Sequence, residues 1–206
     1  MYIFYINIYK NKINILVMIN SKLGNYLLNV NNLRNLTRYQ AAPRVSSESV
    51  AEHSFFVAAY VLKLYDYYDF NLEKALRMAL LHDFNEVFIS DVPFPIKSKY
   101  KGLNKELEKA EYEVNCEHIS KEFADEMKEF NDMTSAEGII VELGDVLSVV
   151  SYSKHEIGLG NSKYMKDVYN KAIPRYTRIL TKAEKYLREG MSTDNIINEI
   201  GDFMEM

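Results

Sequence analysis

The stretch "LLHDFNEVFISDVP", residues 80–93, begins in an apolar helical run and leads into an adjacent His82–Asp83 pair. A helix that continued through this pair would point the two side chains about 100° apart. Where a helix ends and the backbone turns, both side chains can instead reach one target beyond its last turn. The stretch therefore predicts a helical protein with a functional site at the end of one of its helices.

Hydrophobic periodicity along the rest of the chain predicts further helices, because apolar residues recur at three- and four-residue steps. We expect helices over about 22–36, 48–67, 72–83, 103–129, 135–155, 163–189 and 193–204. A break is expected inside 103–129, and Pro174 is expected to start or kink the helix around it. Two prolines in "ISDVPFPIKSKY" predict an ordered loop. The predicted fold class is therefore all-α, a helical bundle, and 206 residues favour one domain.

Composition narrows the class of function and the compartment. The net charge of −4 and the pI of about 5.7 leave no basic footprint, so nucleic acid is not an expected partner. The single cysteine, Cys116, cannot form an intramolecular disulfide, which fits a reducing, cytoplasmic setting. The first 19 residues are apolar but are interrupted by Lys10 and Lys12, so no membrane span is expected.

Two more residues with useful chemistry occur where the helical pattern predicts burial. His53 lies near the start of an apolar helix, and Asp145 lies among the apolar residues of the 135–155 helix. A buried carboxylate needs a compensating partner, which a divalent cation or a Lys or Arg side chain would supply. Together with His82 and Asp83 they form a set of nitrogen and oxygen donors that suits Mn, Co, Fe, Ni or Zn.

The segments "ESVAEHS", "LLHDFNEVFISDVPFPIK" and "ELGDVL" resemble those of the HD-domain metal-dependent phosphohydrolases, and in particular the bacterial HD-domain 5′-deoxynucleotidases. The similarity covers about residues 30–155. The resemblance implies an HD-domain helical bundle that binds one divalent metal ion. The implied metal ligands are His53, His82, Asp83 and Asp145.

A further element of the resemblance is "TRYQ", which places Arg38 and Tyr39 fifteen residues ahead of His53. The family has an Arg-aromatic pair at this offset, which implies that Arg38 binds the substrate phosphate. A planar guanidinium with several donors suits that role. Tyr39 would pack on the sugar or the base, where the family usually has Trp.

The resemblance also implies roles for three residues near the His-Asp pair. Glu86 resembles the catalytic acidic residue that assists proton transfer. Asp91 resembles the residue that contacts the deoxyribose, and Lys97 is a second expected phosphate contact. One position departs from the family pattern, because Gly144 stands where Ala is common, and a helical glycine costs about 1 kcal/mol of helix stability.

The implied activity is hydrolysis of a deoxyribonucleoside 5′-monophosphate to the nucleoside and phosphate, by a homodimer. Two alternatives remain open from the sequence. One is an HD-domain nucleoside triphosphohydrolase. The other is a non-catalytic interaction protein, in which the acidic helices 103–129 and 163–189 bind a partner and the His-Asp pair is structural.

Family members begin about twenty residues ahead of the Arg-aromatic pair, which is where Met18 falls in this chain. We therefore expect Met18, rather than Met1, to be the native start. Residues 1–17 would then be a non-native extension that the chemistry does not need. Residues 18–206 would form a single HD-type helical domain.

Overall fold

The computed structural model describes residues 22–90, 92 and 99–204, and these residues form a helical bundle. Its helices are α1 (Lys22–Asn32), α2 (Val50–Leu64), α3 (Leu72–Leu81), α4 (Glu86–Ile89), α5 (Lys101–His118), α6 (Lys121–Asp132), α7 (Ala136–Gly158), α8 (Ser162–Ala183) and α9 (Thr193–Met204). Short 3-10 turns follow α1 and α8. The predicted all-α class is confirmed. Met18, the expected extension 1–17, Asp91 and Lys97 lie outside the described residues.

The core is built around α7, which is buried along most of its length. Helices α2, α3, α6 and α8 all contact it. A helix that is apolar nearly all round must be covered on several sides, which explains its central place. None of the helices in the described part of the chain has the length and apolar character that a membrane span needs.

The start of α2 is set by a reciprocal cap. Ser49 Oγ accepts a hydrogen bond from the Glu52 backbone N–H at 3.2 Å, and the Glu52 carboxylate accepts one from the Ser49 N–H at 2.7 Å. This capping box satisfies donors that the first helical turn leaves unpaired. It also fixes His53 one turn into α2, on the buried side of the helix.

Several predicted helices end earlier than their periodicity suggested, and two of them are followed by residues that meet. The 48–67 helix ends at Leu64 and the 163–189 helix ends at Ala183. The residues that follow them pair with each other, because Tyr68 and Leu187 form an antiparallel bridge. The bonds across the bridge run from the Asp69 N–H to the Tyr186 carbonyl at 2.7 Å and from the Arg188 N–H to the Tyr67 carbonyl at 2.9 Å. These groups therefore cannot continue either helix.

The predicted break inside 103–129 is confirmed, since α5 ends at His118 and α6 begins at Lys121. Ser120 caps the new helix, with its Oγ accepting from the Phe123 N–H at 3.1 Å. Pro174 lies inside α8, which runs through it.

Close packing between α6 and α7 depends on Gly138 in the first turn of α7. A Cβ atom at this position would lie 2.8 Å from the Glu129 carbonyl oxygen and 3.0 Å from the Phe130 Cα atom. Both atoms belong to backbone, which cannot move away cheaply.

We therefore expect Gly138→Ala to lower the free energy of unfolding by about 1–3 kcal/mol, because the added methyl overpacks the helix contact. Chemical denaturation of the purified proteins measures this. Gly158→Ala is the matched control on the same helix, because a Cβ there meets nothing within 4 Å. Equal stability of the two variants would contradict the packing argument.

Candidate metal centre

Helix α3 ends one residue before the His-Asp pair. The Phe84 N–H donates to the Leu81 carbonyl at 3.0 Å and the Glu86 N–H donates to the Asp83 carbonyl at 3.1 Å, so a tight turn replaces the helix predicted through residue 83. The His82 Nδ1 atom lies 2.9 Å from the Ala79 carbonyl oxygen. A carbonyl can only accept, so Nδ1 carries the hydrogen and the lone pair of the neutral ring is on Nε2.

The two predicted histidines meet through their Nε2 atoms, which are 3.2 Å apart. The His53 Nε2 atom also lies 3.1 Å from Asp145 Oδ1 and 3.7 Å from Asp83 Oδ2. One donor atom from each of His53, His82 and Asp83 falls within a group 4.8 Å across. Two imidazoles and a carboxylate at this spacing could hold a divalent ion of the zinc or manganese type, with Asp145 adjoining through His53.

Neighbouring charges shift the pKa values of His53 and His82 in opposite directions. Burial disfavours the charged imidazole and Arg38 adds to the effect, which lowers the pKa of His53 to about 4. Burial acts the same way on His82, but the Asp83 carboxylate outweighs it and raises the pKa of His82 to about 9. At neutral pH the His53 imidazole is therefore uncharged. His82 is protonated, and a metal ion that binds to it would displace that proton.

Both carboxylates of the group are ionised. Burial alone would raise the pKa of Asp83, but the charge and hydrogen bond of His82 hold it well below its usual range. Burial is likewise outweighed at Asp145, where Arg175 and His53 hold the pKa well below the ordinary value. The donor set is thus in the form that binds a cation.

The basic side chain that the sequence allowed for but did not identify binds the second oxygen of Asp145. The Arg175 Nη2 atom donates to Asp145 Oδ2 at 2.8 Å. Arg175 also binds Glu142 through two hydrogen bonds of 2.9 and 2.8 Å. Asp145 is therefore paired with a basic side chain and also lies beside His53, where a cation could bind it. Glu142 could have been noticed three residues before Asp145 on one helix face, but nothing in the sequence marks Arg175.

The predicted phosphate-binding residue, Arg38, lies on the other side of His53. Its Nη1 atom is 2.6 Å from His53 Nδ1 and 3.2 Å from the Glu48 carboxylate. Ser148 Oγ lies 3.0 Å from the same Nδ1 atom. Because a guanidinium can only donate, Nδ1 accepts from Arg38 and the ring hydrogen is on Nε2, which faces Asp145. For Nε2 to serve as a ligand, the hydrogen must move to Nδ1, where Ser148 Oγ can accept it in place of the Arg38 contact. Glu48 and Ser148 were not predicted. Ser148 follows Asp145 by three residues, a helical spacing that could have identified it.

The predicted substrate-contacting residue Tyr39 stacks on Tyr152 of α7, with ring centroids 5.1 Å apart and planes 11° from parallel. Its backbone φ of 56° lies in the left-handed region, which is rare for residues other than glycine. Burial raises the pKa of Tyr39 to about 12, so the phenol stays neutral. The ring offers a hydroxyl and an aromatic edge beside Arg38.

The remaining predicted residues are placed differently. Glu86, the expected catalytic acidic residue, is not on the same helix as the residues before His82, because α3 stops at Leu81 and Glu86 begins the separate helix α4. It is half-buried and follows directly on the turn that carries Asp83. Asp91 and Lys97 lie outside the described residues.

Comparison with known proteins agrees with this fold. A sequence profile of the YfbR-like 5′-deoxynucleotidases matches residues 25–191. A 5′-deoxynucleotidase of Vibrio vulnificus is 30% identical over 146 residues, which cover 64% of this chain and 74% of the relative. An HD-domain phosphohydrolase from Listeria innocua has the same fold, with a TM-score of 0.64, 24% identity and coverage of 88% of this chain and 89% of the other.

A third similar protein is the cyanophage S-2L HD phosphohydrolase, whose structure holds dA and one catalytic Zn2+ ion. It shares the fold with a TM-score of 0.59 at 15% identity, over 86% of this chain and 95% of that one. The helical bundle and its His-Asp group thus define an HD-domain metal-dependent phosphohydrolase. Within that class, the chain belongs to the YfbR-like 5′-deoxynucleotidase family.

The ion pair around Asp145 gives a prediction for stability. Replacing Arg175 with Met leaves Glu142 and Asp145 as neighbouring buried carboxylates without their shared cation. We expect the free energy of unfolding at pH 7 to fall by about 2–4 kcal/mol, because an uncompensated buried charge is costly. The loss should shrink at lower pH, where protonation removes the negative charges.

Urea denaturation at pH 7 and pH 5 measures both effects. Arg178→Met is the control, since Arg178 is exposed on the same helix. If Arg175→Met were as stable as the control at pH 7, the ion pair would have no structural role.

Proposed function

We propose that this protein hydrolyses deoxyribonucleoside 5′-monophosphates to the nucleoside and inorganic phosphate. The observation that carries the proposal is the group of His53, His82 and Asp83 donor atoms within 4.8 Å, with the Arg38 guanidinium 2.6 Å from His53. A cation site beside a fixed guanidinium suits a phosphate ester. Membership of a family of 5′-deoxynucleotidases supports the choice of substrate.

We propose that one divalent ion is held by His53, His82, Asp83 and Asp145. The hydrogen bond from His82 Nδ1 to the Ala79 carbonyl supports this, because it directs the other ring nitrogen to the centre of the group. The mixed set of imidazole and carboxylate ligands suits Mn, Co, Fe, Ni or Zn. The single catalytic Zn2+ of the cyanophage protein supports a one-ion site.

Lewis-acid polarisation of the phosphate is the chemistry that a divalent ion supplies when bound. Arg38 binds the phosphate and stabilises the negative charge that spreads over its oxygens in the transition state. Burial opposes the charge of Arg38, but Tyr39 and nearby carboxylates outweigh it and raise its pKa, so it remains a cation. Glu86 orients the attacking water or transfers a proton to the leaving oxygen.

Three further residues would contact the substrate. Tyr39 packs on the sugar or base, Asp91 contacts the deoxyribose, and Lys97 provides a second phosphate contact. The stack of Tyr39 on Tyr152 supports the first of these roles, because it holds the ring beside Arg38. The other two follow from the resemblance of the sequence to the family.

We further propose that the protein is a cytoplasmic homodimer. Large apolar side chains are exposed on α1 and α2, among them Phe55 at 63% and Leu62 at 54%. A second copy of the chain could cover such a surface. The single cysteine supports a reducing compartment. Analytical ultracentrifugation should give the mass of a dimer, and a monomer at micromolar concentration would overturn this part of the proposal.

The ligand assignment predicts that His82→Ala and Asp83→Ala both lose the metal ion and lower kcat by at least about 100-fold, since neither ring nor carboxylate has a substitute. Arg38→Ala should keep the metal and raise KM by about 10-fold or more. Elemental analysis and phosphate release measure the two effects. His155→Ala, an exposed histidine, is the control for metal content. Full metal and full rate in Asp83→Ala would refute the assignment.

A substrate panel tests the reaction itself. Deoxyribonucleoside monophosphates should release phosphate. The rate of phosphate release from the matching ribonucleotides shows whether the enzyme discriminates between deoxyribose and ribose. Release of pyrophosphate or tripolyphosphate from deoxyribonucleoside triphosphates would instead identify the triphosphohydrolase alternative. No turnover of any nucleotide by metal-loaded protein would favour the interaction protein.

A further inference from the structure

Glu156 is a fully buried carboxylate that the proposed chemistry does not use. It lies on α7, eleven residues beyond Asp145, and so faces nearly the same direction three turns further on. Its oxygens accept four hydrogen bonds. The donors are the Val45 N–H at 2.8 Å, the Ser46 N–H at 2.6 Å, Ser46 Oγ at 2.7 Å and Asn161 Nδ2 at 2.8 Å.

These bonds hold a segment whose residues 43–45 are exposed. We call residues 38–48, which connect Arg38 and Tyr39 to α2, the substrate arm. Val45 in its centre is 61% exposed, so apolar packing contributes little there. Tyr152 also donates from its hydroxyl to the Ser46 carbonyl at 2.9 Å. The arm is therefore attached to α7 through polar contacts that converge on Ser46.

The start of the substrate arm, at Tyr39, also needs contacts that hold its backbone in place. Tyr39 adopts a positive φ, a conformation that persists only where the surroundings hold it. The Arg44 guanidinium donates to the Tyr39 carbonyl at 2.9 Å and so links this strained residue to the segment that Glu156 binds. The Tyr39 ring stacks on Tyr152, one turn before Glu156 on α7.

We propose that Glu156 is a positioning residue that anchors the substrate arm to α7 and thereby sets Arg38 and Tyr39 for substrate capture. The roles of Arg38 and Tyr39 rest on the proposed function. All four partners of Glu156 donate hydrogen bonds. A carboxylate can accept all four on its two oxygens, whereas a neutral amide has only one oxygen to accept them. A glutamine would turn its own N–H group toward another donor.

The anchor works without a cation. Burial raises the pKa of a carboxyl group, but the hydrogen bonds from Asn161, Ser46 and Val45 outweigh it and lower the pKa of Glu156 to about 2. Backbone N–H groups that converge on an anion stabilise it as fixed dipoles. The Glu156 carboxylate is thus ionised at neutral pH, so its four hydrogen bonds do not change with pH in that range.

Glu156→Gln tests the proposal. We expect KM for a deoxyribonucleoside monophosphate to rise about 10-fold, because charge-assisted hydrogen bonds to the arm are lost. The metal content should not change, since no donor atom of the metal centre is altered. The value of kcat should also fall, by a smaller factor than KM rises, because the proposed role of Arg38 includes the transition state. Amide hydrogen exchange across residues 40–48 should become faster. Glu189→Gln, on the surface, is the control and should match the wild type in all four measurements.

A milder variant covers the case in which Glu156→Gln does not fold. Tyr152→Phe keeps the ring that stacks on Tyr39 and removes only the bond to the Ser46 carbonyl. It should raise KM and arm exchange in the same direction by a smaller factor.

Two results would overturn the proposal. The first is wild-type exchange over residues 40–48 in folded Glu156→Gln, which would show that the arm is held elsewhere. The second is faster exchange with unchanged KM, which would show that the anchor does not position the substrate residues. Amide exchange needs no substrate, so it still decides the anchor if the wild type fails to hydrolyse monophosphates and the proposed function itself is wrong.

Discussion

The close approach of α2 to α7 is the constraint on which the site depends. It occurs at Gly144, where a Cβ atom would lie 3.1 Å from Val61 Cγ2 and 3.2 Å from the Val57 carbonyl oxygen. Without that atom the two helices pack closely enough for His53 Nε2 to reach within 3.1 Å of Asp145 Oδ1. The glycine costs about 1 kcal/mol of helix propensity. In return it lets α2 and α7 pack a few tenths of an ångström closer than an alanine would.

A single face of α7 then organises both halves of the site. Asp145, Ser148, Tyr152 and Glu156 follow one another at steps of three or four residues, which places them in a row along one helix. The first two contact His53 and the last two contact the substrate arm. Because one rigid helix carries the row, the distance from the metal centre to Arg38 and Tyr39 does not depend on loop conformation alone.

The sequence could predict what depends on local pattern. Helical periodicity and capping residues such as Ser49 are local, and so the bundle and most of its boundaries were predictable. The convergence of His53 with His82 was predictable because polar residues in apolar helices need partners. The Arg175 ion pair was not, since it depends on how α8 crosses α7. The early end of α2 was missed for a similar reason, because the bridge at Tyr68 joins residues far apart in the chain.

The charges of the described site explain why a divalent ion suits it. The carboxylates in contact with the two histidines or with their arginine neighbours are Glu48, Asp83, Glu142 and Asp145. When all four are ionised, their negative charges face the guanidinium groups of Arg38 and Arg175. The difference is two negative charges in a buried region, which is costly when uncompensated. A neutral His53 leaves that difference in place, and a proton on His82 covers half of it. An ion of charge +2 would balance the two excess negative charges fully. The carboxylates that are costly to bury without a partner would therefore favour binding of a divalent ion.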